Sequence, residues 1–359
     1  MQPSSQFLFT VCQVGIEALL KAEMAREWPE FRFSFSRPGF VTFKLPEGFQ
    51  IGNDFDLRSV FARTFGLSLG RLSGENANAL AEQSWEFATD RKINHIHCWQ
   101  RDAKLPGENG FEPGITPLAS EVAATIAACA KNAGAGGLPT NRTARSGQSV
   151  LDVALVEPNE WWVGYHIASG LSTRWPGGVP TIDVAGEPVS RAYYKMAEAM
   201  RWSRLPLSKG DLCAEIGSAP GGGAQWLLEQ GQYVLGIDPA EMDDRILAHR
   251  EFAHIRRRAV DVPRRDFRNV RWLVADSNVA PKHTLDSVEA VVMHESVRVR
   301  GMILTLKLFD ATPAAEMPAY LERIRSWGFG WVRARQLAFN RGEFCVAALR
   351  NRAMCRFRR

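Results

Sequence analysis

The sequence lacks the patterns typical of disulfide-rich, zinc-binding and membrane proteins. Its six cysteines are scattered and never spaced as CxxC, which predicts neither a disulfide framework nor a zinc site. No stretch approaches the ~20 apolar residues of a membrane span, and the opening MQPSSQFLFTVCQVG has no basic region before a continuous apolar core. Low-complexity tracts and clear internal repeats are also missing. Together these features predict a folded cytoplasmic protein without a membrane partner.

Charge of one sign is also scarce, since the 359 residues carry a net charge of only +5. The basic residues nevertheless cluster in RRRAVDVPRRDFRNVR, at 256–271, and in RNRAMCRFRR, at 350–359. Such clusters can neutralise the phosphates of RNA, although arginine-rich faces are often simply solvated. The candidate phosphate contacts are Arg256, Arg257, Arg258, Arg264, Arg265, Arg356, Arg358 and Arg359.

A glycine-rich segment, EIGSAPGGG at 215–223, lies between the apolar run DLCAEIG and the amphipathic stretch AQWLLEQG, which leads into QYVLGID. This order predicts strand, loop, helix and strand. No Lys-Ser or Lys-Thr follows the glycines, so the loop is not a P-loop, and the glycine spacing does not match GxGxxG. Asp238, at the end of the second strand, is placed to accept hydrogen bonds from ribose hydroxyls. The segment therefore predicts a βαβ unit that binds an adenosine-containing ligand.

The pattern along the chain predicts an α/β protein with four parts. Residues 1–70 form a small α/β module, 71–170 a second mixed α/β domain, 171–189 a linker rich in proline and glycine, and 190–359 a domain of alternating strands and helices. FNRG, between the last two strands, is too short for a parallel crossover. The last part is therefore predicted to be a mainly parallel sheet that ends in an antiparallel hairpin, the outline of a Rossmann-like methyltransferase.

Polar residues occupy unusual places in this last part. Lys307 lies within the apolar run ILTLKLF, where a buried ammonium is costly unless it is paired. Asp276 closes VRWLVAD, Glu343 begins EFCVAAL, and Lys195 lies on the helix before the sheet. Taken singly, they can be explained as a snorkelling lysine, a helix cap, a hairpin residue and an exposed helix residue. As a set they predict a polar site at the strand ends.

In this respect the sequence resembles the FtsJ-type ribose 2′-O-methyltransferases, whose sites hold a Lys-Asp-Lys-Glu tetrad in this chain order. SRAYYK, SAPGGG, LTLKLF and the NRGEF hairpin are similar to segments of the RlmM type, and the resemblance covers nearly the whole chain. It implies S-adenosylmethionine as cofactor, a cytidine ribose of large-subunit (23S) rRNA as target, and a THUMP-type RNA-binding region at 71–170. Two residues depart from the family pattern, because Glu215 stands in place of Asp and Gly223 in place of Trp.

The resemblance also implies roles for individual residues. Lys307 would be the general base, with Lys195, Asp276 and Glu343 completing the catalytic set. Ala219 to Gly222 would line the methionine end of the cofactor, with Asp238 at the ribose, Asp261 at the adenine, and Ser190 and Asp276 near the sulfonium. The predicted cofactor-binding residues are Ser190, Glu215, Gly217, Ala219, Pro220, Gly221, Gly222, Asp238, Asp261 and Asp276. No metal site is predicted, because His95 and His97 share a strand face without an acidic or cysteine partner nearby.

Two alternative functions remain open on the sequence. A base N-methyltransferase acting on tRNA would be expected to carry an Asn- or Asp-Pro-Pro-Tyr/Phe motif where this chain has ADSNVAP. A non-catalytic RNA-binding assembly factor would be favoured by loss of tetrad residues, and all four are present. RNA rather than DNA is the expected partner, with Trp161, Trp162 and Tyr193 as candidates for stacking on bases. One of the two adjacent tryptophans is expected to pack in the core instead.

Overall fold

The structure is a computed structural model that describes residues 7–52, 55–309 and 312–351. The chain divides into two compact units, residues 1–181 and 182–359. The division falls inside the proline- and glycine-rich segment that the sequence predicts as a linker at 171–189. Among the described residues no helix combines the length and apolar composition needed to cross a bilayer.

The N-terminal unit has a mixed α/β fold built on one seven-stranded sheet. Its strands are β1 (Phe7–Val11), β2 (Arg32–Arg37), β3 (Phe40–Lys44), β4 (Thr64–Ser73), β5 (His95–Gln100), β6 (Ser149–Glu157) and β7 (Glu160–Ile167). Its helices are α1 (Glu17–Glu27), α2 (Ala77–Glu86) and α3 (Pro117–Asn132). The strand order is β2-β3-β1-β4-β7-β6-β5, and every neighbouring pair is antiparallel except β5 and β6.

This sheet differs from the two separate parts that the sequence predicts at 1–70 and 71–170. The boundary at 70/71 falls inside β4, which pairs with β1 on one side and with β7 on the other. Strands from both predicted parts therefore share one hydrogen-bonded sheet. Helices α2 and α3 pack on one face of it, where Trp85, Ile126 and Trp161 belong to a common apolar core.

The C-terminal unit is built on a second seven-stranded sheet. Its strands are β8 (Leu212–Ile216), β9 (Tyr233–Ile237), β10 (Phe252–Ile255), β11 (Trp272–Ala275), β12 (Gly301–Lys307), β13 (Trp331–Arg335) and β14 (Glu343–Leu349). Its helices are α4 (Ala192–Ser203), α5 (Gly222–Glu229), α6 (Asp244–Leu247), α7 (Pro281–Val292) and α8 (Thr312–Ser326).

The strand order of this sheet is β10-β9-β8-β11-β12-β14-β13. The first five strands in that order are parallel, whereas β14 runs antiparallel to both β12 and β13. This agrees with the predicted mainly parallel sheet ending in an antiparallel hairpin. Because parallel strands end on the same edge, the residues that follow β8, β9, β11 and β12 lie at one edge of the sheet, where open α/β sheets bind ligands.

Candidate active site

The four tetrad residues are brought together by the strand topology. Asp276 follows β11 directly, and Lys307 is the last residue of β12. Glu343 is the first residue of β14 and lies opposite Lys307 in the antiparallel register, which places their side chains on the same face. Lys195, in the first turn of α4, reaches the same place, so residues separated by up to 148 positions in the sequence form one cluster.

Hydrogen bonds and ion pairs link the four side chains in a row, and the two lysines differ in how many carboxylates they contact. Lys195 donates to Asp276 and lies 3.1 Å from Oε1 of Glu343, whereas Lys307 donates to Oε2 of Glu343. Lys195 is thus held by two carboxylates, and Lys307 by one. The two lysine side chains are each 15% exposed and Glu343 only 3%, so the charges meet in a recess where water screens them little.

The burial and the opposite charges act against each other in this cluster. Burial lowers the pKa of Lys195, but the charges of Asp276 and Glu343 together outweigh it and raise that pKa above its ordinary value. Burial likewise raises the pKa of Glu343, but the neighbouring ammonium groups of Lys195 and Lys307 bring it below its ordinary value. Lys195 and Glu343 are therefore an ion pair at neutral pH.

The loop between β13 and β14 supports Glu343, and two of its contacts were not predicted from the sequence. Asn340, fully buried, donates from Nδ2 to Oε1 of Glu343 at 3.3 Å. Glu198, also fully buried on α4, accepts hydrogen bonds from the backbone N–H groups of Ala338 at 2.9 Å and Phe339 at 3.1 Å. In the sequence, the one sign of this role is that Glu198 lies between Ala197 and Ala199 in an amphipathic helix, where a buried carboxylate needs a partner. It ties the helix carrying Lys195 to the loop preceding Glu343.

The glycine-rich turn lies beside this cluster. Gly217 has φ +78°, and a Cβ added there would lie 2.6 Å from the carbonyl oxygen of Asp276, so only glycine lets the two segments approach. Asp238, after β9, accepts from the N–H of Ala219 at 3.2 Å and of Ala240 at 2.8 Å. The structure therefore places the predicted methionine and ribose contacts next to each other. The peptide between Ala219 and Pro220 is cis.

Ser190 and Gly222 meet where α4 and α5 begin. A Cβ at Gly222 would lie 2.3 Å from Oγ of Ser190, so the absence of a side chain admits the serine. Among the described atoms, Oγ of Ser190 and Oδ1 of Asp276 are buried side-chain atoms without a hydrogen-bond partner. Buried polar groups normally have partners, so two such atoms beside the turn indicate a polar ligand. Gly221, with φ +121°, directly precedes α5, which begins at Gly222.

Glu215 is placed differently from the other predicted cofactor contacts. It is only 2% exposed, and Oε2 accepts a hydrogen bond from Oγ of Ser218 at 2.6 Å beneath the turn. A Cβ at Gly223 would lie 2.1 Å from Oε1 of Glu215, so the longer acid occupies space that a side chain at 223 would need. Burial, reinforced by the charge of Asp276, raises the pKa of Glu215 to about 8. Glu215 therefore supports the turn from below.

The remaining predicted residues lie on exposed or core positions. Asp261 is exposed in a 3₁₀ turn and accepts a hydrogen bond from Nε of Arg258 at 3.0 Å. No contact among the described residues joins Asp261 to the other predicted cofactor residues. Its role at the adenine therefore stays a prediction. Arg256 pairs with Glu241 at 3.2 Å on the surface. The other predicted phosphate contacts are the exposed Arg257, Arg258 and Arg265, the half-buried Arg264, and Arg356, Arg358 and Arg359, which lie outside the described residues.

The three candidate base-stacking aromatics have different environments. Trp161 is 2% exposed in the core between the sheet and its helices, as expected for one of the two adjacent tryptophans. Tyr193 is 3% exposed and donates its hydroxyl proton to Glu229 at 2.6 Å, so it has no face free for a base. Trp162 is half-buried and points to the opposite sheet face from Trp161. Its ring packs against the rings of Phe35 and Phe40.

Residues 188–325 match the family model for the FtsJ-like methyltransferases. The C-terminal unit carries an FtsJ-like methyltransferase domain. The chain is also similar to proteins named ribosomal RNA large subunit methyltransferase M. It is 27% identical to the one from Shewanella sediminis over 40% of this chain and 41% of that relative, and 24% identical to the one from Shewanella woodyi over 79% and 80%. With the one from Shewanella sp. strain W3-18-1 it shares 22% identity over 89% of each chain.

Solved structures give weaker similarities. TrmN from Thermus thermophilus aligns over 96% of this chain and 99% of its own, with a TM-score of 0.35 and 16% identity. A fibrillarin/Nop5p complex aligns over 48% of this chain and 92% of the matched chain, with a TM-score of 0.39 and 16% identity. The match to the family model, rather than these structures, identifies the methyltransferase domain.

The cofactor of such a domain is S-adenosylmethionine, and the residues around the turn fit it. Glycines allow a close approach of the backbone, and Asp238 offers a carboxylate at the end of β9. Ser190 and Asp276 each have a buried side-chain oxygen without a hydrogen-bond partner among the described residues. Asp276 connects these residues to the lysine–carboxylate chain through Lys195. The domain can therefore bind a methyl donor beside a lysine–carboxylate cluster that can accept a proton.

Proposed function

We propose that this chain is an S-adenosylmethionine-dependent RNA ribose 2′-O-methyltransferase that acts on a cytidine of large-subunit rRNA. The observation that carries the proposal is the row of ion pairs Asp276–Lys195–Glu343–Lys307, in a recess beside the glycine-rich turn. The names of the relatives that align over most of both chains support large-subunit rRNA as the substrate. The choice of a ribose hydroxyl rests on the lysine–carboxylate set and on its resemblance to the FtsJ-type tetrad.

Transfer of a methyl group to a hydroxyl requires alignment and removal of one proton. The bound cofactor supplies an electrophilic methyl group. The protein must hold the 2′-OH in line with that group and accept its proton as the new O–C bond forms. Lys307, in its neutral form, is the base in this proposal: Nζ takes the proton from the 2′-OH and becomes an ammonium. The positive charge lost from the cofactor's sulfur thus reappears on Lys307.

The unequal sharing of carboxylates favours Lys307 over Lys195 as the base. Deprotonating Lys307 gives up its ion pair with Glu343, whereas deprotonating Lys195 gives up interactions with both Glu343 and Asp276. In a recess that water reaches poorly, the lysine with two carboxylates keeps its proton more firmly. Lys195 is therefore the permanently charged member that orients the two acids, and Glu343 aims Lys307.

The N-terminal unit is the proposed RNA-binding region, and because β4 joins both sides of position 70/71 in one sheet, we assign the THUMP-type region to this unit as a whole rather than to 71–170 alone. This follows from the resemblance of the whole chain to the RlmM type. The methyltransferase domain alone offers exposed arginines at 256–258 and Arg265, and these supply charge rather than sequence recognition. We place the choice of target in the N-terminal unit for that reason.

The test is incorporation of labelled methyl groups into large-subunit rRNA from cells that lack this gene. The full chain, labelled S-adenosylmethionine and the rRNA are incubated, and the modified nucleoside is identified by mass spectrometry. The expected product is 2′-O-methylcytidine, absent with Lys307→Ala although that variant still binds the cofactor. A methylated base would overturn the reaction class, another 2′-O-methylnucleoside would overturn the cytidine target, and cofactor binding without incorporation into this rRNA would overturn the substrate.

A further inference from the structure

The N-terminal unit carries a compact group of aromatic and cationic side chains on one face of its sheet. Phe35, on edge strand β2, stacks on Trp162 of β7 with ring centroids 5.5 Å apart and planes at 24°. The guanidinium of Arg37 lies 4.9 Å, and that of Arg71 6.0 Å, from the centre of the Phe35 ring. We refer to Phe35, Arg37, Arg71 and Trp162 as the Phe35 surface.

The aromatic pair is held in place by its neighbours. Nε1 of Trp162 donates to Oγ of Ser68 at 2.7 Å, and the indole also packs at 5.3 Å from the ring of Phe40, which is buried. Phe35 therefore rests on a fixed ring rather than on a mobile one. A rigid aromatic platform loses little conformational entropy when a second planar group stacks on it.

A bulge in β2 separates the half-buried Phe35 from Phe33, the exposed phenylalanine of the same strand. Phe33 pairs with Phe43 and Phe35 pairs with Thr42, with the register shift between them. Because Phe43 and Thr42 are consecutive in β3, they point to opposite faces, and so do Phe33 and Phe35. Phe33 is 53% exposed and contacts Lys21 of α1 instead. The chain thus provides a control residue of the same type on the same strand.

The charges of the surface suit an anionic partner. Arg37 is exposed at the end of β2, and the Arg71 side chain is 47% exposed. Arg71 also pairs with Glu160 at 2.9 Å, and the Glu160 side chain is only 12% exposed. Arg71 therefore keeps this pair and offers its remaining N–H groups to a phosphate. Cations over an aromatic ring and a stacking platform are the two elements that single-stranded nucleic acid requires, one for phosphates and one for bases.

We propose that the Phe35 surface binds a single-stranded segment of RNA, with one base stacked on the Phe35–Trp162 pair and its flanking phosphates on Arg37 and Arg71. A base reaches the ring by displacing the guanidinium of Arg37, which then pairs with the adjacent phosphate. A duplex keeps its base faces covered and cannot use the platform. The proposal rests on the proposed function only in taking the substrate to be RNA.

The test measures binding of the full chain, without cofactor, to a labelled oligouridylate about 12 nucleotides long and to an RNA duplex of similar length, by fluorescence anisotropy. The variants are Phe35→Leu, which keeps an apolar side chain but removes the ring, and Phe33→Leu as the matched control. Loss of one stacked base predicts about tenfold weaker oligouridylate binding for Phe35→Leu. Phe33→Leu is expected to bind as the wild type does, and duplex binding should be equal in all three proteins.

A second variant keeps the test informative if Phe35→Leu folds poorly, as judged from thermal unfolding. Arg37→Gln is expected to reduce the slope of log affinity against log salt by about one, because one phosphate contact is lost. Equal oligouridylate binding by the two phenylalanine variants, or equal losses on single-stranded and duplex RNA, would overturn the proposal. So would failure of the wild type to bind oligouridylate while it methylates rRNA. Oligouridylate binding by a protein that methylates no RNA would instead contradict the proposed function and would still support RNA binding by the Phe35 surface.

Discussion

The contact between Glu215 and Gly223 predicts that the two departures from the family pattern depend on each other. In Gly223→Ala, the new Cβ would lie 2.1 Å from Oε1 and 3.2 Å from Cδ of Glu215. Glu215 has little room to move, because its carboxyl group is buried and bonded to Ser218, and Cε of Met196 would itself lie 3.4 Å from the new Cβ. The substitution therefore overpacks the site and breaks the hydrogen bond from Ser218.

The expected size of this effect follows from three contributions. Overpacking of a closed site costs ~1–3 kcal/mol, and loss of the hydrogen bond from Ser218 adds ~1 kcal/mol. Replacing glycine by alanine in a helix returns ~1 kcal/mol. The net destabilisation of Gly223→Ala is then about 2 kcal/mol, which lowers the melting temperature of a unit of this size by roughly 4–8 °C.

A double-mutant cycle measured by calorimetry separates this contact from a general effect of alanine. Glu215→Asp shortens the acid by one methylene, so Gly223→Ala is expected to cost nearly nothing in that background. The coupling free energy should accordingly be about 2 kcal/mol, as for residues in direct contact. An equal cost of Gly223→Ala in both backgrounds, or no cost in either, would show that residues 215 and 223 do not constrain each other.

Three further predictions concern the supporting carboxylates. Glu198→Gln leaves one acceptor oxygen for the two N–H groups of the β13–β14 loop, which then holds Glu343 less firmly. Methyl transfer in a single turnover should slow about tenfold, whereas the cofactor affinity measured by calorimetry should change by less than about twofold. The pKa of Glu343 in the folded protein is below its ordinary value of 4.5. The Glu343 carboxylate therefore contributes its full stabilisation of the folded state above pH 4.5, and this contribution is lost as the pH falls through the folded-state pKa. The difference in unfolding free energy between the wild type and Glu343→Gln, measured in urea, should shrink as the pH is lowered over this range. Because the pKa of Glu215 is raised to about 8, the folded protein keeps a proton that the unfolded protein loses, and its stability falls as the pH rises from 4.5 to about 8. Between pH 6 and pH 9 this loss is at most about 3 kcal/mol, and Glu215→Gln should abolish it in thermal melts at those two pH values.

The methyltransferase domain could be predicted from the sequence because its signals are local and strong. Short apolar runs alternate with amphipathic stretches, and a connection of a few residues between the last two strands requires a hairpin. The carboxyl ends of parallel strands lie at one edge, so Asp276 and Lys307 were expected to be neighbours before any contact was known. A lysine inside an apolar strand then indicated that a carboxylate lies close to it.

The N-terminal sheet could not be predicted in the same way. Strand β4 contains small and polar residues, SLGRLS, without a clear apolar alternation, and the sequence gives no sign that it joins β1 to β7. Helix α2 lies in the polar stretch GENANALAEQSWE, where only the Asn76 cap marks its beginning. Pairing between strands distant in the sequence depends on tertiary packing that local patterns do not encode.

The finer features of the site also required the structure. The sequence placed Glu215 among the cofactor contacts, but its longer side chain turns beneath the loop to reach Ser218. Strand β10, at the edge of the sheet, ends at Ile255, and the arginines that follow it are exposed to solvent. Which lysine has two carboxylate partners depends on side-chain directions that spacing alone does not fix.

The most direct test of the base assignment is chemical rescue of Lys307→Ala by primary amines of increasing basicity. Removal of a general base should slow methyl transfer ~10²–10⁴-fold, and the rescued rate should rise with the concentration and the basicity of the free amine. Lys195→Ala, which loses a charge rather than a base, should instead respond to the ammonium form. A rate for Lys307→Ala near that of the wild type, or rescue of both variants by the ammonium form alone, would show that Lys307 is not the general base.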